Sequence, residues 1–102
     1  MKAILKHPNS NPQIIEIDNT LDALQGAVGG YIEHVKLTDT VGIICNEDGK
    51  FNGSDPNFAV ASMADVIMGT ALFVGEGEED FTDLNDADTA ILMLLLTERG
   101  RK

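Results

Sequence analysis

Apolar and polar positions along this chain follow two rhythms, and the stretch Thr20 to Leu37 contains both. Leu21, Leu24 and Val28 recur at i, i+3 and i+7, which gives a helix one apolar face. Thr20 stands where a hydroxyl can accept an unpaired first-turn N–H. Gly29 and Gly30 can take the left-handed conformation that ends a helix. Beyond them Tyr31, Glu33, Val35 and Leu37 fall on one side of an extended segment, and Ile32, His34 and Lys36 on the other. The pattern predicts a helix over residues 20–29 that stops at a double glycine and feeds a strand over 31–37.

The same period of two runs through much of the remainder. Ala3 and Leu5 alternate with Ile4 and Lys6, the His7 to Pro12 stretch with its two prolines forces a reversal, and Gln13 to Ile17 resumes. Residues 2–18 are therefore expected to form a β-hairpin. Val41 to Cys45 is rich in β-branched residues and reads as a strand. Asp48-Gly49 predicts a tight hairpin with Lys50 to Asn52 as the short return strand. Asp55 followed by Pro56 reads as the start of a short helix, and Thr70 to Val74 as a strand ended by Gly75. A final helix is expected from about Asp86 to Glu98, capped by Asn85, with Asp86 and Asp88 in its first turn and Arg99 and Gly100 at its end.

These elements predict an α+β fold in one domain, residues 1–102: a mainly antiparallel sheet, a short helix after the first hairpin and a C-terminal helix packed on the sheet. Ile91 to Leu96 places apolar side chains on more than one stripe of that last helix, so a second side needs cover. Either the helix packs wholly into its own sheet, or the run Ile91–Leu96 makes a homo-oligomer contact.

Composition sharpens the picture in one respect. The 102 residues carry a formal net charge of −10, which argues against direct nucleic-acid binding, since phosphates are neutralised by Lys and Arg. Seven of the acids lie between Glu76 and Asp88 with no base among them, and without those seven the net charge falls to −3. The acidity is largely one local patch. A single cysteine, Cys45, rules out an internal disulfide and fits a reducing compartment. No apolar window approaches the ~20 residues of a membrane span, and the first residues lack a signal core. A cytoplasmic location is expected.

Several blocks resemble a known family as a set and in order: E-I-D-N-T-L-D-A-L-Q (Glu16 to Gln25), G-G-Y-I-E (Gly29 to Glu33), I-C-N-E-D-G-K (Ile44 to Lys50), the pair Pro56-Asn57, G-T-A-L-F-V-G (Gly69 to Gly75) and F-T-D-L (Phe81 to Leu84). They resemble DUF3846, a family of small proteins from phages, plasmids and gut Firmicutes. The family often has a basic residue after the Pro-Asn pair, and Phe58 stands there instead, which speaks against an anion contact at that position. The resemblance covers nearly the whole chain and implies a mobile-element setting. It implies no activity.

The residues themselves narrow the chemistry. The acidic stretch does not meet the calcium-loop pattern: counted from Asp83 the sixth position is Asp88, and counted from Asp80 it is Asn85, where glycine belongs. Gly75-Glu76-Gly77 follows a strand as a phosphate loop would, yet Glu78, Glu79 and Asp80 would repel the anion. Cys45, Ser10, Ser54 and Ser62 are the available nucleophiles and His7 and His34 the bases, with no spacing that couples them. Cys45 with both histidines lacks zinc-ligand spacing. No enzyme, cofactor or metal site is expected. The expected function is that of a non-enzymatic accessory protein binding a host protein, with Glu76, Glu78, Glu79, Asp80 and Asp83, and the turn residues Asn46, Asp48 and Asn57, as the candidate contacts. Two alternatives stand beside it. The acids could imitate DNA phosphates and block a nucleic-acid enzyme, or the chain could sequester a small nucleotide or metabolite, with Arg99, Arg101 and Lys102 supplying the cations.

Overall fold

A computed structural model describes residues 1–98 of the chain. Five antiparallel strands form the main sheet in the order β2 (Gln13–Glu16), β1 (Lys2–Lys6), β7 (Ala71–Glu76), β4 (Val41–Asn46), β3 (Ile32–Lys36). A two-residue strand β8 (Phe81–Thr82) folds back on the end of β7, pairing Gly75 with Thr82 and Glu76 with Phe81. The fold is the expected α+β arrangement, with helix α1 (Leu21–Val28) after the first hairpin and helix α2 (Asp86–Leu96) at the end.

The central strands are buried on both faces, so their sequences read as continuous apolar runs. One face carries Ile4, Ile43, Cys45, Ala71 and Phe73, covered by α2 and by a separate ribbon of β5 (Pro56–Val60) and β6 (Asp65–Met68). The other carries Ala3, Ile44, Leu72 and Val74, covered by Leu24 and Val28 of α1. Thr20 Oγ1 accepts from Ala23 N at 3.2 Å and Gly29 closes α1 with φ of 81°, as the sequence predicts. Leu21, counted with the apolar face, is instead 58% exposed at the first turn.

The segment between β4 and β7 departs from expectation. Lys50 to Asn52 is not a return strand. Residues 47–53 form consecutive turns, with Phe51 N and Asn52 N both donating to Asp48 O. Asp55-Pro56 does not start a helix. Pro56 opens β5 as an edge residue paired with Met68, where its missing N–H costs nothing. The short helical turn falls later, at Ala61–Met63, and links β5 to β6. Strand β7 passes through Gly75 to Glu76 rather than ending at Val74. Arg99 and Gly100, read as the end of the last helix, lie outside the described residues.

Asn57, one of the candidate contact residues, locks the ribbon to the sheet. Its Nδ2 donates to Lys6 O at 2.8 Å and to Gly69 O at 2.7 Å, and its Oδ1 accepts from Lys6 Nζ at 3.1 Å. Lys6 is 1% exposed, and its ammonium has three donors. The other two reach His7 O at 2.9 Å and Glu98 Oε2 at 3.3 Å. One buried lysine thus joins β1, the ribbon and Glu98 just beyond α2.

Candidate functional site

The β7–β8 hairpin gathers the acids of the 76–83 stretch at one end of the sheet. Glu76 closes β7 on the α1 face, and its side chain is 13% exposed. It pairs there with His34 Nε2 from β3. The pair spans β4 because Gly42 lies between the partners: a Cβ at Gly42 would collide with Glu76 Oε2 and stand 3.0 Å from His34 Nε2. Phe81, opposite Glu76 in the ladder, sets its ring edge-on to His34 at a centroid distance of 4.9 Å. A cleft of about 300 Å³ lies behind the hairpin, lined by His34, Glu76, Gly77, Glu78, Glu79, Asp80 and Phe81.

The acids divide by role. Asp80 holds the turn, its carbonyl accepting from Gly77 N at 2.9 Å and its carboxylate from Phe81 N at 2.7 Å. Asp83 accepts from Lys2 N at 2.7 Å, and Lys2 Nζ pairs with Asp86 at 3.0 Å. Asp88 accepts from Asn85 Nδ2 and from Thr40 Oγ1, while its own N–H is capped by Asn85 Oδ1 at 2.7 Å. Glu78 and Glu79 are exposed, and neither has a hydrogen bond or ion pair among the described residues. The patch read as one block of charge is a set of anchors around two outward carboxylates.

The turn residues do not join this site. Asn46 lies five residues along β4 from Val41, about 17 Å away at the rise of a strand. It donates to Val28 O at 3.1 Å and accepts from Asp48 N at 2.8 Å, tying α1 to the following turn. Asp48 is exposed there beside Tyr31, which is 69% exposed. Asn57 belongs to the Lys6 lock.

A second cavity, of about 200 Å³, lies on the opposite face between β4 and β6, lined in part by Glu33, Cys45, Lys50 and Asp65. Lys50 closes it by binding Asp65 at 2.7 Å and Val66 O at 2.8 Å. Hydrogen bonds from Lys50 and from Val66 N hold the Asp65 carboxyl below the usual carboxylate range. Burial first, then Glu33, pushes the Cys45 thiol up to about 11. A thiol held protonated is a poor nucleophile. His34 cannot activate it: His34 pairs with Ile44, so His34 and Cys45 point to opposite faces of the sheet. His7 Nδ1 is engaged with Thr70 Oγ1 at 2.7 Å.

Lysines are engaged as well. Lys2 pairs with Asp86, Lys6 with Glu98, Lys36 with Asp39 and Lys50 with Asp65. Each described lysine therefore already faces a carboxylate.

Sequence reading missed the coupling of Glu76 and Phe81 to His34, which lies 42 residues before Glu76 along the chain. One signal did exist. Gly42 interrupts a strand of bulky residues, and a glycine in a strand marks a close approach.

No helix among the described residues is long and apolar enough to cross a membrane. No curated protein and no solved structure matches the chain. A family model described as a domain of unknown function, DUF3846, matches residues 1–97, and the chain belongs to that family.

Proposed function

We propose that this chain is a non-enzymatic interaction protein of a phage or other mobile element, which acts in the host cytoplasm by binding a basic segment of a host protein. One observation carries the reading. Glu78 and Glu79 stand outward on a hairpin whose other acids, Glu76, Asp80 and Asp83, are spent on holding it in place. A turn fixed in this way presents its free carboxylates without having to be ordered on binding, which lowers the cost of association. The cleft behind it suits an arginine. Carboxylates accept the guanidinium fork, and the Phe81 ring offers a π surface beside them.

Of the alternatives, the DNA mimic needs acids spread along a surface. Asp83, Asp86 and Asp88 are instead bound to Lys2, Asn85 and Thr40. The nucleotide-sequestering reading needs free cations, and its candidates Arg99, Arg101 and Lys102 lie outside the described residues.

The test is affinity capture from the native host with the wild-type chain and with a Glu78→Gln, Glu79→Gln, Asp80→Asn variant. The substitutions keep shape and keep the Asp80 acceptor. A host protein held stoichiometrically by the wild type and lost from the variant, with thermal stability unchanged, supports the reading. Equal capture by both removes the hairpin from the function, and a bound nucleotide without protein replaces the reading with sequestration.

A further inference from the structure

Helix α2 buries Thr89 and Leu92 against the sheet and leaves Ile91, Leu94 and Leu95 exposed by 55%, 59% and 71%. Residues three and four apart share a helix face, so these side chains form one ridge. Ala87 and Ala90, also exposed, continue it toward the start of the helix with side chains small enough for another helix to approach. Beside the ridge runs an apolar groove of about 290 Å³ between α2 and the β5–β6 ribbon, walled by Leu37, Phe58, Val60, Ala61, Leu95 and Leu96. Surface of this kind on a small protein marks an interaction site.

Two properties identify what covers it. First, ridge and groove lie side by side on one face, and Leu95 belongs to both. A twofold axis through such a face puts each copy's ridge against the other's groove, the self-complementary condition for an isologous dimer. Second, the helix is electrically polar. Asp86 and Asp88 occupy its first turn. Antiparallel pairing keeps these acidic starts apart and aligns the helix dipoles favourably. A parallel arrangement would stack like charges.

We propose that the chain forms a C2 homodimer through α2, with the helices antiparallel and the contact centred on Ile91, Leu94 and Leu95. The ridge alone offers on the order of 300 Å² per copy, against roughly 800 Å² per partner in a stable interface. The groove walls must therefore take part. The β7–β8 hairpin lies at the sheet end and is not part of the contact, so each dimer presents two acidic tips.

Sedimentation of the full chain across roughly 1–500 µM tests this, because dimer population depends on protomer concentration. The wild type is expected to move from 11.0 kDa toward twice that mass. Leu95→Glu is expected to weaken association at least about tenfold, since the twofold places the charge in the contact twice. Ile14→Glu, at a position 53% exposed on the edge strand β2, is expected to leave association unchanged. Leu95→Ala serves in the same way should the glutamate variant fail to fold. A wild-type chain that stays at 11.0 kDa throughout overturns the proposal. So does a dimer indifferent to both Leu95 variants, or a series of larger assemblies without closure. The hairpin variant described above is expected to dimerise normally, which keeps failure of partner binding distinct from failure of this contact.

Discussion

Asn57 offers the sharpest test of how the molecule is held together. Its amide orientation is dictated by chemistry: two carbonyls, Lys6 O and Gly69 O, face one end and an ammonium faces the other. Asn57→Ala removes two bonds to neutral acceptors, worth roughly 1 kcal/mol each, and one from a charged donor, worth roughly 1.5–3 kcal/mol. It also leaves the Lys6 ammonium, 1% exposed, short of one of its three partners. The expected loss is about 4 kcal/mol. A domain of this size holds roughly 5–15 kcal/mol in total, so the variant should sit near the edge of folding, with Tm lowered by about 15 °C or more.

Urea and thermal unfolding followed by circular dichroism measure this directly. Asn57→Asp separates the donor bonds from the charge. It keeps an oxygen for Lys6 and adds an opposite charge, yet turns two N–H donors into a carboxylate facing two carbonyls. Loss of the donors should outweigh the gain, leaving Asp well below wild type. If Ala loses less than about 1 kcal/mol, or if Asp matches wild type, the lock is not what joins the ribbon to the sheet.

Three further outcomes are expected. Gly42→Ala should displace the His34–Glu76 pair, since the new methyl meets Glu76 Oε2. A loss of about 1–3 kcal/mol in chemical denaturation and a shift of the His34 ring signals in NMR would show it. Cys45 should resist alkylation near neutral pH, because its thiol is raised from 9.0 to about 11. The stability it contributes is complete below pH 9.0 and is lost as pH rises toward about 11. Rapid labelling of the folded chain at pH 8 would contradict this. Asn85→Ala should cost about 1–2 kcal/mol in thermal unfolding, since Asn85 both caps Asp88 N and donates to Asp88 Oδ2.

Where local chemistry decides the structure, the sequence was readable. Thr20, Gly29 and Asn85 bound their helices through contacts within a few residues, and Val41 to Cys45 is legible as a strand from its β-branched residues, which suit a strand buried on both faces. The stretch from Asp48 to Gly69 was not readable, for a physical reason. Asp-Gly and Asp-Pro are turn and helix-start signals on local grounds, yet the conformation of Pro56 to Val60 is set by pairing with Asp65 to Met68 and by the long-range Asn57 lock. Lys6 illustrates the same limit. An alternating strand places a lysine outward, and only the meeting of His7 O, Asn57 and Glu98 makes its burial affordable.

The acidic stretch shows how charge counting and charge placement diverge. Counted along the chain, residues 76–88 form one negative block. In the fold, Lys2 draws Asp83 and Asp86 to itself, His34 takes Glu76, and Asn85 and Thr40 take Asp88. That leaves Glu78 and Glu79 as the outward acids of the hairpin, while the apolar ridge of α2 follows only a few residues later. Lys2 and Asp83 therefore set where one surface ends and the other begins, because Leu84 N bonds Lys2 O at 3.0 Å as the chain passes from hairpin to helix. The two surfaces are adjacent in sequence and separate in space, so an assay that loses binding on hairpin substitution and keeps dimer mass, or the converse, reads each one alone.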